Sequence, residues 1–217
     1  MDFFLDTANI DQIKQAQDLG ILKWRTTNPS LMLKDGVKKE HLNKHYLEIC
    51  KIVDGPVSAE VISTDYKEIV KEGDKLSKIH PQIVLKIPMI KDGIKAIKYF
   101  HQKGIKTNCT LVFTLGQAIL AAKAGASYIS PFIGRLEDNN QDGIKLVKTI
   151  SDFYSFHRYE TKILAASIRN TNHITDCAIA GANAITVPLP LLLQLFNHPL
   201  TDKGLQKFLD DHKKNNH

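Results

Sequence analysis

Only three cysteines, Cys50, Cys109 and Cys177, are spread over 217 residues, and no two stand in a CxxC spacing. An odd, scattered set excludes a disulfide framework and a cysteine zinc site, so the three are expected to be core thiols. No apolar run approaches the roughly 20 residues that a membrane helix needs, and the start, MDFFLDTANI, lacks a basic stretch followed by a long apolar one. A cytoplasmic protein without membrane contact is the expectation. No G-x-G-x-x-G follows the first strand-like run, which counts against an open dinucleotide-binding sheet, and both the G-x-S-x-G elbow and the G-x-x-x-x-G-K-[ST] loop are missing. The nine histidines offer one metal-like spacing, His41 and His45 in HLNKH, without a third ligand or the glutamate of HExxH. An exposed helix face is the better reading, and no metal is expected.

Acidic residues are the scarcer charge: 29 Lys and Arg against 23 Asp and Glu leave a net charge of +6. The lysines are spread along helical stretches, only the tail HKKNNH is concentrated, and no recognition motif accompanies them. This distribution favours a solvated surface over nucleic-acid contact and is compatible with small anionic substrates.

With 43% hydrophobic residues the chain can bury one sizeable core, and a single domain over 1–217 is expected. Eight short apolar runs recur: DFFLD, KWRTT, PVSAEVI, IVLKIP, KTNCTLV, SYISPF, KILAAS and NAITVP. Between them lie stretches such as DQIKQAQDL, GIKAIKYFHQK and GQAILAAKA, with apolar residues at helical spacing. Gly20, Gly104, Gly125 and Gly181 each stand between a helical stretch and the next strand, where a left-handed C-cap belongs. AKAGASYIS and AIAGANAIT echo each other, a weak repeat of one βα unit. Eight such units predict an α/β fold, a (β/α)8 barrel (the TIM barrel) with an extra C-terminal helix at about 201–214.

IVLKIP reads as a strand buried on both faces, yet it carries Lys86. Residues two apart share a face of a strand, so Lys86 goes with Val84 and Pro88, while Leu85 and Ile87 point the other way. Pointing inward is preferred, because other strands can supply polar partners there. Asp6, Thr26, Asn28, Glu60, Asn108, Thr110, Ser130, Phe132, Ser167 and Arg169 all lie late in their strands, the end where barrels of this kind build their sites. Each alone has a structural reading: Asp6 or Asn28 as a helix cap, Ser130 or Ser167 bonding nearby backbone, Glu60 as an ion-pair partner of Lys86. Together they are costly to maintain as structure only.

A free lysine has a pKa near about 10.4, and burial disfavours its charged form. A neutral amine can attack a carbonyl to give a Schiff base, whose iminium draws electrons from a breaking carbon–carbon bond. Asp6 and Glu60 can move the protons, Asn28, Asn108, Thr110 and Ser130 can hold hydroxyl groups, and Arg135, Ser167 and Arg169 can hold a phosphate. An isomerase or epimerase with Glu60 as base, and a non-enzymatic basic scaffold, remain as alternatives.

The segments TTNPS at 26–30, LKIP at 85–88, TNCTLVFT at 107–114 and SPFIGR at 130–135 closely resemble transaldolases, in particular the short subfamily that includes the fructose-6-phosphate aldolases. LDTAN, AASIRN and HPLTDKGLQKF fit in order, so the resemblance spans essentially the whole chain. It implies transfer of a dihydroxyacetone unit between sedoheptulose 7-phosphate and glyceraldehyde 3-phosphate, a step of the pentose phosphate pathway that gives erythrose 4-phosphate and fructose 6-phosphate. Lys86 would form the Schiff base and Asp6 act on substrate hydroxyls, with Glu60 and Thr110 relaying protons through a bound water. Thr26, Asn28, Asn108, Ser130 and Phe132 would line the substrate, with Arg135, Ser167 and Arg169 on its phosphate. The aldolases typically carry Gln in place of Glu60 and Tyr in place of Phe132, so both positions here follow the transferase pattern. The resemblance implies no cofactor, and a homo-oligomer, a ring-forming decamer in which the C-terminal helix reaches a neighbour.

Overall fold

The computed structural model describes residues 1–26, 32 and 36–215. Eight parallel strands close into one barrel in chain order: β1 (Asp2–Asp6), β2 (Leu22–Thr26), β3 (Val57–Glu60), β4 (Ile83–Pro88), β5 (Thr107–Val112), β6 (Tyr128–Pro131), β7 (Lys162–Ala165) and β8 (Ala184–Val187). β8 returns to pair with β1, Leu5 against Val187, so no edge is left open. All eight apolar runs of the sequence are strands.

The helices that matter for the site are α1 (Ile10–Asp18), α2 (Leu42–Ile52), α3 (Tyr66–Leu76), α4 (Lys91–Gln102), α5 (Leu115–Lys123), α6 (Ile133–Glu137), α7 (Gly143–His157) and α8 (Thr171–Ile179). A short helix α9 (Leu189–Gln194) and the terminal α10 (Pro199–Asn215) follow β8. The expected C-terminal helix is present and longer than the sequence pattern suggested. No helix among the described residues is long and apolar enough to cross a membrane.

Two apolar clusters result from the alternation along the strands. Leu5, Ala59, Leu85, Ile87, Ile129, Ile163 and Ile185 belong to the large cluster between barrel and helices. Phe4, Val84, Tyr128, Leu164 and Ala184 form a separate small one inside the barrel. Phe4 and Tyr128 meet edge to face, centroids 6.0 Å apart, and plug the interior below the site. Val84 in the inner cluster and Leu85 in the outer one set the register of β4: Lys86, two residues after Val84, is aimed inward.

Gly20, Gly104, Gly125 and Gly181 all have positive φ, as their places after helices implied. At Gly125 the need is also steric, since a β-carbon there would collide with the His101 ring. The cysteines are buried and unpaired. Burial pushes the Cys50 thiol up to about 11 and those of Cys109 and Cys177 up to about 12, which keeps them inert.

Candidate active site

The inward-facing polar residues meet at the C-terminal end of the barrel through the strand register. Glu60 stands opposite Lys86 and Lys86 opposite Asn108, so one ladder across β3, β4 and β5 carries acid, amine and amide side by side. Lys86 Nζ lies 3.2 Å from Glu60 Oε2. Lys86 is only 8% exposed, so this is an ion pair largely withdrawn from water, where losing either partner is costly. The ion-pair reading of Glu60 is thus seen in the fold.

A cavity of about 190 Å³ opens beside Lys86, walled by Asp6, Asn108, Ser130 and Thr186 and roofed by Phe132, Arg135 and Ser167. Asp6 is not a helix cap: that place is taken by Asn9, whose side chain accepts from the Asp11 and Gln12 backbone N–H groups. Ser130 Oγ donates to Asn108 Oδ1 at 3.0 Å, which fixes the amide orientation. Among the described residues, Asn108 Nδ2 and Thr110 Oγ1 are buried without a hydrogen-bond partner. Orphaned buried polar atoms are uncommon, and Asn108 Nδ2, on an amide that walls the cavity, is a donor held ready for a polar ligand there.

Phe132 follows β6 and carries the Arg135 guanidinium over its ring, 4.9 Å from the centroid, with Phe113 5.9 Å away on another side. This stacking sets the direction of Arg135 toward the cavity mouth. Ser167 has φ +61°, a left-handed conformation that costs a non-glycine residue on the order of 1–3 kcal/mol. Its carbonyl accepts the Gly134 N–H at 2.9 Å. A β-carbon at Gly134 would collide with that oxygen, so a glycine is required for α6 to approach so closely.

Some expected residues stand elsewhere. Arg169 does not line the cavity; its side chain passes Gly134 and its Nη2 pairs with Asp138 Oδ2 at 2.7 Å, both side chains about half exposed. Thr110 is buried next to the site, and with its hydroxyl unpartnered it makes no direct bond to Glu60. Glu60 faces Lys86 on one side and, on the other, borders a second cavity of about 360 Å³ shared with Tyr46 and Glu72. Thr26 ends β2 opposite Asp6 and Ser58, but its side chain and all of Asn28 lie outside the described residues. Of the histidine pair, His45 Nε2 is 2.8 Å from the Ala8 carbonyl oxygen, while His41 sits beside Glu40. Sequence reasoning missed Thr186, although alternation through NAITVP places it on the inner face with Ala184.

A family model described as transaldolase/fructose-6-phosphate aldolase matches residues 3–217. A probable transaldolase of Cytophaga hutchinsonii is 62% identical over all of both chains. One from Porphyromonas gingivalis is 60% identical over all of this chain and 99% of its own. Among solved structures, inosine 5′ monophosphate dehydrogenase from Legionella pneumophila superposes with a TM-score of 0.60 at 14% identity, over 88% of this chain and 58% of that one. The last likeness concerns the barrel alone.

Proposed function

The chain belongs to the transaldolase/fructose-6-phosphate aldolase family, and from that premise we propose that it is a Schiff-base transaldolase acting on sugar phosphates. The observation that carries the reading is the Lys86–Glu60 pair, 3.2 Å apart and mostly buried, at the wall of a small polar cavity.

In this reading Lys86 Nζ attacks C2 of a ketose phosphate. Glu60 and Thr110, through a water, bring the proton on which the former carbonyl oxygen leaves as water, and an iminium remains. Asp6 takes the proton of the C4 hydroxyl. The C3–C4 bond breaks, the aldose departs, and the electron pair is held as an enamine on Lys86. Asn28, Asn108 and Ser130, with Thr26, hold the three-carbon unit until an acceptor aldehyde arrives. Addition to glyceraldehyde 3-phosphate and hydrolysis then give fructose 6-phosphate, the first half having released erythrose 4-phosphate from sedoheptulose 7-phosphate. Arg135 and Ser167, which border the cavity, bind the phosphate. In this reading the protein works in the pentose phosphate pathway, in the cytoplasm, as a homo-oligomer whose α10, with Leu205 and Phe208 exposed, is the element offered to a neighbour.

Phe132 supports transfer over aldol release. A tyrosine hydroxyl there could protonate the enamine and free dihydroxyacetone, whereas a phenyl ring cannot. A coupled assay that follows erythrose 4-phosphate formation from sedoheptulose 7-phosphate, with and without glyceraldehyde 3-phosphate, separates the two. Product formation that depends on the acceptor is expected; equal rates without it, with dihydroxyacetone accumulating, would make the protein an aldolase.

A further inference from the structure

The expected phosphate residues come from two segments, α6 with Arg135 and residues 166–170 with Ser167 and Arg169, and something must hold these in register. Part of the answer is backbone: Ile133 N–H donates to the Ala166 carbonyl and Gly134 N–H to that of Ser167, both at 2.9 Å. These bonds reach only the first turn of α6 and leave the Arg169 end of the segment unfastened. The Arg169–Asp138 pair beyond it is half exposed, a setting in which ion pairs hold geometry weakly.

His173 fills the gap. It lies in the first turn of α8, is 5% exposed, and its own N–H is capped by the Asn170 side chain at 2.9 Å. Its Nδ1 accepts the Arg169 backbone N–H at 3.2 Å, and its Nε2 lies 2.8 Å from Glu137 Oε2, two residues past Arg135. A backbone N–H can only donate, so Nδ1 carries no proton and the ring proton sits on Nε2, facing the carboxylate. One neutral imidazole thus spans from the backbone of Arg169 to the end of α6. Nothing else described joins those two points from a buried position.

We propose that His173 is a positioning residue for phosphate recognition: as a neutral imidazole between Arg169 and Glu137 it fixes the spacing of the two segments that receive the phosphate. The proposal rests on the sugar-phosphate reading above. It requires the effect of His173 to fall on the phosphate and not on the Schiff-base chemistry, because none of its contacts reaches Lys86, Glu60 or Asp6.

The measurement is the ratio of kcat/KM for fructose 6-phosphate to that for fructose, with glyceraldehyde as common acceptor. Each variant serves as its own control for the amount of folded protein. His173→Phe removes both ring nitrogens, and the ratio is expected to fall about tenfold or more through KM for the phosphate ester. His173→Asn keeps an acceptor at the Nδ1 place and should recover part of the loss. Glu137→Ala, at a partly exposed position that tolerates truncation, should lower the ratio in the same direction and decides the matter if His173→Phe does not fold. An unchanged ratio in these variants, or equal losses on both sugars, overturns the role of His173 while leaving the transaldolase reading intact. A ratio near one in the unsubstituted protein overturns the phosphate reading and this proposal with it.

Discussion

The two ends of the barrel both hold cavities and lysines, and they differ in what surrounds the charge. At the N-terminal end of β5, β6 and β7 a cavity of about 470 Å³ is bordered by His101, Lys106, Lys123, Arg158 and Lys162, with Glu160 as its acid. At the other end a cavity of about 190 Å³ holds Lys86, with Arg135 at its mouth. Size and positive charge alone would choose the first. But α4, α5 and α7 all end at that side, and the carbonyls of their last turns give it a negative potential that His101, Lys123 and Arg158 answer. Those cations are accounted for by the helices. Lys86 has no such account: it stands inside a sheet, on the face of Val84, with a carboxylate at 3.2 Å and, nearby, buried polar atoms that have no partner among the described residues. What marks a site is charge and polarity that the fold itself does not need.

Substitutions can break this contrast in a graded way. Lys86→Met should lower transfer at least about 10³-fold, since the nucleophile itself is lost, with binding and the carboxylates left behind. Glu60→Gln should cost on the order of 10²-fold, the usual worth of a positioned acid or base, measured as steady-state transfer to glyceraldehyde 3-phosphate. Phe132→Tyr should raise the share of turnover that ends in free dihydroxyacetone by about tenfold, read by an enzymatic dihydroxyacetone assay, with a smaller loss of transfer. At the opposite end, Lys106→Gln combined with Lys123→Gln should change transfer by less than about twofold and leave the melting midpoint within about 2 °C, as exposed positions away from special contacts do. A large loss of activity from that pair would remove the distinction between the two ends.

Much of the site was legible in the sequence because its logic is local. A lysine in a strand otherwise apolar on both faces, and polar residues late in successive strands, follow from the alternation of side chains, and the eight runs and their glycines give the barrel. What was not legible depends on contacts between distant segments. Arg169 looks equivalent to Arg135 in the sequence, yet its guanidinium pairs with Asp138 and does not border the cavity. Glu60 reads as a partner of Lys86, but nothing in PVSAEVI tells that its other side opens to a cavity shared with Tyr46 of α2 and Glu72 of α3. The irregular register of β5 against β6, with Leu111 at φ +63°, is invisible in the alternation of KTNCTLV. His173 lies in a helix, in a spacing with no other histidine, and only the folded chain brings Glu137 and the Arg169 backbone to its two nitrogens.

The central claim is that Lys86, among the many lysines of this basic chain, is the one made into a nucleophile. Borohydride reduction in the presence of fructose 6-phosphate, followed by peptide mass spectrometry, tests it directly. The expected result is a single reduced dihydroxyacetone adduct on Lys86, absent when either the sugar or the borohydride is left out. Protein that turns over sugar phosphates but shows no adduct on Lys86, or carries it on Lys106, Lys123 or Lys162 instead, would contradict the claim.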